Sequence, residues 1–436
     1  MSTDKNTEPK ELKGSPFVTS FSRFGTDLDC LRELYAEVLP ILSKNDTERR
    51  EKADELFERY SKTDPENPEK KIAEFPKEEH KVFIETIQKI ARASILFRRN
   101  SLVSVIARYE EFLAEQIRHT LFLHPEKFTS SEKSIPYKEI CSLAEGVTPI
   151  DLIISREVDE VMRSSSEEQL RYLDKEFKLG LFDGYSEISI CIEACERRNL
   201  CAHTGGIISK QYVDKCTAAK YKWKEGEAPD LGSRIDIGEK YYNRAIDAFF
   251  ILGIRITQGL LRRFLPDEKE PADMHLINTG FSRLEQESHG LAERIFDFAL
   301  SIPEKHTSGD ATRKVFLVNK CIALYYQDKK VEMEKLLSSY DWSAMHNKFV
   351  LAVNVLREKW SDAAELMNKS DLSDKEFSNW PLFREFRKTE EFKNQFLKIY
   401  GRPVVYEADK EKEANKAIEP TPMLGSELPS TGVAHL

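Results

Sequence analysis

Apolar residues return at helical spacing across the whole of Glu79–His124. They fall at Val82, Ile84, Ile87, Ile90, Ile95, Leu96, Leu102, Ile106, Tyr109, Leu113, Ile117 and Leu121. That period gives a helix one apolar face. The stretch therefore reads as a single long amphipathic helix, with a possible kink at Asn100-Ser101 and a stop at Pro125. The same period recurs on both sides of it, and almost no segment alternates in the manner of a strand. The chain is predicted to be all-α.

Residues 1–15 are polar and expected to be disordered. Residues 16–80 form a helical extension. Leu31, Leu34, Leu39, Leu42, Leu56 and Tyr60 suggest two helices there, followed by a polar link with prolines at 65, 68 and 76. The central unit runs over 81–268. Behind its long helix it should carry helices at Pro136–Leu143, Thr148–Met162, Ser166–Phe177, Ser186–His203 and Lys240–Phe264, with a variable loop before the last. Pro266–Pro271 reads as a linker. Over 269–402 the segment from Tyr326 to Leu337 matches that from Leu356 to Met367 at an offset of thirty residues. Each sets a short polar turn before an amphipathic helix. Such an offset suggests a degenerate tetratricopeptide-like array, a type of curved surface that holds a protein partner; a plain helical bundle is the alternative. The tail, 403–436, is rich in charge and proline and is expected to be disordered.

Composition narrows the function. Charged residues make up 32% of the 436 and the net charge is -9, which argues against coating nucleic acid through a broad basic face but leaves room for a small basic cleft. The seven cysteines, at 30, 141, 191, 195, 201, 216 and 321, are odd in number and scattered, as in reduced proteins of the cytoplasm. The first residues lack the apolar core of a signal peptide. The most apolar stretch, Ala248–Leu265, is interrupted by Arg255, Arg262 and Arg263, so no membrane role is expected. Cys191, Cys195, Cys201 and His203 lie on one helix with spacings that do not gather four metal ligands, and no phosphate-binding glycine loop is present. No metal and no cofactor is expected.

The chemistry is concentrated in Arg197-Arg198-Asn199-Leu200-Cys201-Ala202-His203-Thr204-Gly205-Gly206. At about 100° per residue, Glu196, Asn199 and His203 share one stripe of a helix, with Arg198 on a neighbouring face. The glycine pair ends the helix, leaving His203 in its last turn, where the helix dipole favours imidazolium. Arginine is a permanent phosphate clamp and histidine moves protons near neutral pH. Glu110 and Glu111, beside Arg108, read as an ordinary solvated face.

Arg198-Asn199-x-x-x-His203 resembles the Arg-x(4–6)-His signature of the HEPN-domain ribonucleases. The preceding long helix with Arg108-Tyr109-Glu110-Glu111-Phe112-Leu113 and the following Gly205-Gly206-Ile207-Ile208-Ser209-Lys210-Gln211-Tyr212 extend the likeness over about residues 81–265. The resemblance implies a homodimer in which two motif helices face each other and cut RNA without metal, using the substrate's 2′-hydroxyl as nucleophile. It implies that His203 moves the proton of the 2′-hydroxyl or leaving group, that Arg198 stabilises charge on the phosphoryl oxygens, and that Asn199 orients one of them. Glu196 could tune His203. The products would be 2′,3′-cyclic phosphate and 5′-hydroxyl ends, and the setting a bacterial toxin or phage-defence role. His203 is followed by Thr204-Gly205, so the His-x-Tyr form found in one toxin–antitoxin subset is absent. Two readings stand beside this one. His203 could merely cap the helix while Arg198 pairs with an acidic neighbour, or the unit could be a non-catalytic scaffold that dimerises, binds RNA and presents the repeats for docking.

Overall fold

The computed structural model describes residues 15–125, 134–223, 226–342 and 345–404. The two segments expected to be disordered lie outside these, apart from Ser15, 403 and 404. Among the described residues the fold is all-α with one small hairpin. The chain divides into two compact units, one made of residues up to Asn278 with Ser301–Thr312, the other of Thr279–Leu300 with the residues from Arg313 onward.

The first unit begins with α1 (Pro16–Tyr60), a single helix where two were expected. Pro40 lies inside it, but on the exposed side, where the carbonyl it orphans can turn to water. Its N-terminal half carries the core. Phe24 stacks on Phe112 and Phe21 meets Phe250 edge to face, with ring centroids 4.7 and 5.3 Å apart. The helices α3 (Arg92–Leu123) and α9 (Glu239–Phe264) supply those partners. Gly253 permits the close crossing of α1 and α9, since a Cβ there would sit 2.9 Å from Phe24. The extension 16–80 and the central unit thus share one core.

The polar link holds a two-residue-period surprise, an antiparallel hairpin of β1 (Ser61–Thr63) and β2 (Lys71–Ala73). The long stripe from Glu79 is broken, but at Ile90–Ala91 rather than Asn100-Ser101. Helix α2 (Lys77–Lys89) ends there, and α3 starts after Ala91, which takes a left-handed φ of 59°. At the expected kink the helix continues, with Ser101 and Ser104 hydroxyls bonded back to the carbonyls four residues earlier. The break also splits the stripe's fate. Leu102, Ile106, Tyr109, Leu113, Ile117 and Leu121 are buried, whereas Val82, Ile84, Ile87, Ile95 and Leu96 are exposed.

Among the described residues five helices follow before α9: α4 (Tyr137–Ile140), α5 (Pro149–Met162), α6 (Ser166–Tyr172, wound on as a π-turn to Phe177), α7 (Ile188–His203) and α8 (Lys210–Ala218). Thr148 with Asp151, and Ser165 with Glu168, start α5 and α6 as reciprocal caps. The expected linker is barely a turn, because α10 (Lys269–Glu285) already contains Pro271 near its start.

The second unit is built from the C-terminal part of α10, α11 (His289–Ser301), α12 (Asp310–Tyr326), α13 (Lys330–Leu337), α14 (Asn347–Leu356), α15 (Trp360–Met367), α16 (Asp374–Asn379) and α17 (Glu390–Tyr400). One turn recurs in it. Glu287, Asp328 and Glu358 take φ values of 60°, 58° and 58°, and the next N–H bonds the carbonyl five residues back. The thirty-residue offset is therefore a repeated backbone conformation, at Asp328 and Glu358. Charges stitch neighbouring turns: Arg357 grips Glu334 with two nitrogens, Lys330 meets Glu358 and Lys329 meets Glu293. Five buried phenylalanines, at 377, 383, 386, 392 and 396, close the C-terminal end.

Candidate functional site at the end of the motif helix

Helix α7 packs against α3, α8 and α9, and from Ile188 to Glu196 it is buried on every side. A helix apolar or satisfied all round belongs inside a domain. Its last two turns emerge: Asn199 is half-buried and His203 is exposed. The motif occupies the one end of this helix that solvent reaches.

The end is fixed by backbone. Gly205 and Gly206 both take left-handed φ, 60° and 76°, and the Gly206 N–H bonds the Leu200 carbonyl at 2.9 Å. The chain then runs antiparallel to 232–235. Ile208 N–H donates to Ser233, Gly232 N–H to Ile208 and Ile235 N–H to Gly206, each at 2.9 Å. The loop expected to be variable is thereby pinned to the motif. Beneath it Leu200, Ile208, Tyr212, Cys216 and Ile235 form a small core of their own.

The two adjacent arginines part company. Arg197 points inward, its Nε donating to Glu193 at 2.7 Å and its Nη1 to the Asp236 carbonyl at 2.6 Å, with the guanidinium 3.7 Å above the Tyr241 ring. Glu193, fully buried, also accepts the Tyr241 hydroxyl at 2.7 Å and the Tyr212 hydroxyl. Burial and then the Glu193 charge push both phenols well up, so they remain donors. Arg198 points the other way and pairs with Glu110 of α3. Glu110 is accordingly a partly buried counter-ion of the motif, while Glu111 pairs with Arg108 on the surface.

Glu196 shares the stripe of Asn199 and His203, but its buried carboxylate is taken by Lys215 of α8 at 2.8 Å. Among the described residues neither Asn199 nor His203 has a side-chain partner within the chain. Arg198, Asn199 and His203 thus share the helix end, and Glu196 is held back from it. Cys191, Cys195 and Cys216 are buried thiols; burial pushes Cys195 up to about 12. Among the described residues no group of three or more His, Cys, Asp and Glu is placed to hold a metal ion.

Sequence reasoning passed over a second set of arginines. Arg99 lies across the Gly206 backbone so closely that a Cβ there would be 2.9 Å from its Nη2. Arg234 sits opposite Ile207 in the antiparallel bridge. Dibasic pairs at 49–50 and 98–99 are the only trace of this in the sequence, and such pairs are too common to single out. No protein-family model matches the chain, and no curated protein or solved structure resembles it significantly. What the fold and site define is an all-α protein with a polar Arg-Asn-His constellation at an emergent helix end. Among the described residues no helix is long and apolar enough to cross a membrane.

Proposed function

We propose that the first unit is a metal-independent endoribonuclease of the HEPN type, acting as a homodimer in the cytoplasm in a bacterial toxin or phage-defence role. The observation that carries this reading is the position of the motif: Arg198, Asn199 and His203 occupy the solvent-reached end of an otherwise buried helix. A histidine retained for packing would be covered, and an asparagine retained for folding would be bonded. On this reading His203 transfers the proton between the 2′-hydroxyl and the departing 5′-oxygen, and Arg198 carries the charge of the pentavalent phosphorane. Asn199, one turn before His203, aligns the phosphate. Glu196 serves the fold through Lys215 instead of contacting RNA. Exposed Ile84 and Ile87 lie on one side of α2 and offer a small apolar patch suited to a second copy.

The rival reading, a non-catalytic scaffold that dimerises or binds RNA, draws on Glu110. Its carboxylate already occupies the Arg198 guanidinium, as a structural pair would. The helix pairs of the second unit suit a protein partner or inhibitor under either reading. Cleavage of a mixed RNA pool by wild type and His203→Ala, in EDTA throughout, separates the two. Cleavage by wild type alone with cyclic phosphate ends supports the nuclease; binding and dimerisation without cleavage by either protein support the scaffold.

A further inference from the structure

A cavity of about 490 Å³ opens where α1, the α2–α3 break and the 234–237 segment meet. Arg50, Arg98, Arg99 and Arg234 converge on it from three stretches of chain. Two carboxylates, Asp46 and Asp236, share the lining, so the guanidiniums leave a surplus of two positive charges. Both carboxylates are engaged: Asp46 with Ser94 and Arg49, Asp236 with Arg98 at 3.4 Å. Among the described residues Arg50, Arg99 and Arg234 have no carboxylate partner. In a chain of net charge -9, three arginines without a carboxylate partner thus line one cavity.

The backbone adds to the field. Helix α3 begins at the cavity wall, and its first residue follows the left-handed Ala91 with no side chain capping it. The positive end of the α3 dipole faces the cavity beside the arginines, with the Asp46 carboxylate already on Ser94 in its first turn. The space far exceeds a bare phosphate, and Ile95, Ile235 and Ile237 give it an apolar side. Arg99 and the Ile207–Arg234 bridge place it against the strand that leaves the motif helix.

We propose that this cavity is a nucleotide-binding site, its arginines holding the phosphate and its isoleucines the base or sugar of a ribonucleotide. The ligand is either a free mononucleotide or one residue of an RNA strand that runs on to the motif; only the second use rests on the nuclease reading. The full-length chain is titrated calorimetrically with nucleoside monophosphates, with a short RNA oligonucleotide and with inorganic phosphate. The same titrations are made on Arg50→Ala and Arg234→Ala, both exposed positions, and on His203→Ala. The expected result is nucleotide binding to wild type, weakened about tenfold by each arginine substitution. Oligonucleotide binding tighter than mononucleotide and equally sensitive to both arginines assigns the site to RNA; the reverse order assigns it to a free nucleotide. The proposal is overturned if nothing binds at millimolar concentration, if phosphate alone binds as tightly as nucleotide, or if the arginine variants, shown folded by circular dichroism, bind as wild type does. Binding at the arginines without any cleavage would retain this site and remove the nuclease; His203-dependent cleavage with binding indifferent to the arginines would do the opposite.

Discussion

Replacing Glu193 by glutamine should loosen the whole first unit while leaving its shape almost unchanged. The carboxylate is fully buried and accepts Arg197 and two tyrosine hydroxyls. Glutamine fills the same volume and still offers one oxygen to Arg197, and a phenol can turn to accept from its amide. Hydrogen bonds are therefore nearly conserved, and what disappears is the negative charge beside a guanidinium whose side chain is only 12% exposed. Two unit charges about 4 Å apart at an effective dielectric of about 20 attract by about 4 kcal/mol. Removing one member of a buried ion pair costs about 3–5 kcal/mol by a different route of measurement. The two figures agree, so we expect a loss of about 3–4 kcal/mol.

Tryptophan gives a local readout, because of the four in the chain only Trp223 belongs to the first unit. It sits edge-on to Tyr212, 5.9 Å between ring centroids. Fluorotryptophan incorporation separates its resonance from those of Trp342, Trp360 and Trp380, and urea unfolding is followed at that resonance alone. With a slope near 3 kcal/mol per molar urea, the midpoint should fall by about 1 M. Tyr212→Phe should cost about 1.5–3 kcal/mol in wild type and clearly less in Glu193→Gln, since its partner has lost its charge. A loss under about 1 kcal/mol, or strict additivity of the two substitutions, would refute the idea that this charge cluster anchors the motif helix.

Ala91→Gly should raise stability by about 1 kcal/mol, because it removes the left-handed strain of a Cβ at φ 59°; thermal unfolding that shows no gain would mean the break is held by something other than this residue. Native thiol titration near pH 8 should find Cys30 and Cys141 reacting quickly, with Cys191, Cys195, Cys216 and Cys321 protected until unfolding, the thiols of Cys195 and Cys321 being pushed by burial up to about 12. Burial lowers His275 to about 4, and Gln258 Nε2 donates to its Nδ1 at 3.0 Å, which fits a neutral ring. The unfolded chain then takes up the proton first, so its contribution is whole above about pH 6.5 and is lost as pH falls towards 4. Between pH 7 and 4.5 wild type should lose about 2.5 kcal/mol more than His275→Gln, and equal losses would remove His275 from the acid response.

The helical period carried the fold class, because it is a local property of each stretch. The glycine pair at 205–206 likewise marked the end of the motif helix, since two left-handed residues in succession demand glycine. The thirty-residue offset between Asp328 and Glu358 coincides with matching backbone, since both residues are left-handed. What the sequence concealed was of another kind. Ala91 turns left-handed with no glycine or proline to announce it, so the sequence pattern points to a break at Asn100-Ser101 instead. Pro40 does not break α1, because it lies on the exposed side of the helix. Glu110 looked like a solvated charge until packing set it against Arg198, 88 residues away. Arg50, Arg99 and Arg234 meet only through tertiary structure, and no spacing rule joins positions so distant.

Two neighbouring arginines on one helix, Arg197 and Arg198, face environments that make them chemically different groups. Arg197 has its donors committed to Glu193 and the Asp236 carbonyl and its face to Tyr241, so it cannot leave without dismantling the core behind the motif. Arg198 has one nitrogen on Glu110, while both side chains keep partial exposure, 24% and 31%. A partly exposed pair joined by one nitrogen is worth on the order of 1 kcal/mol. A phosphodiester carries one negative charge, as a carboxylate does, but it can take two guanidinium nitrogens where Glu110 takes one, and on that ground it competes with Glu110. On the proposed reading Glu110 therefore parks Arg198 in the absence of RNA and yields it when the scissile phosphate arrives. Glu110→Gln decides between this and the scaffold. A parked arginine released from its carboxylate should bind RNA more tightly with stability changed by less than about 1 kcal/mol, whereas a structural pair should lose stability and leave RNA affinity where it was.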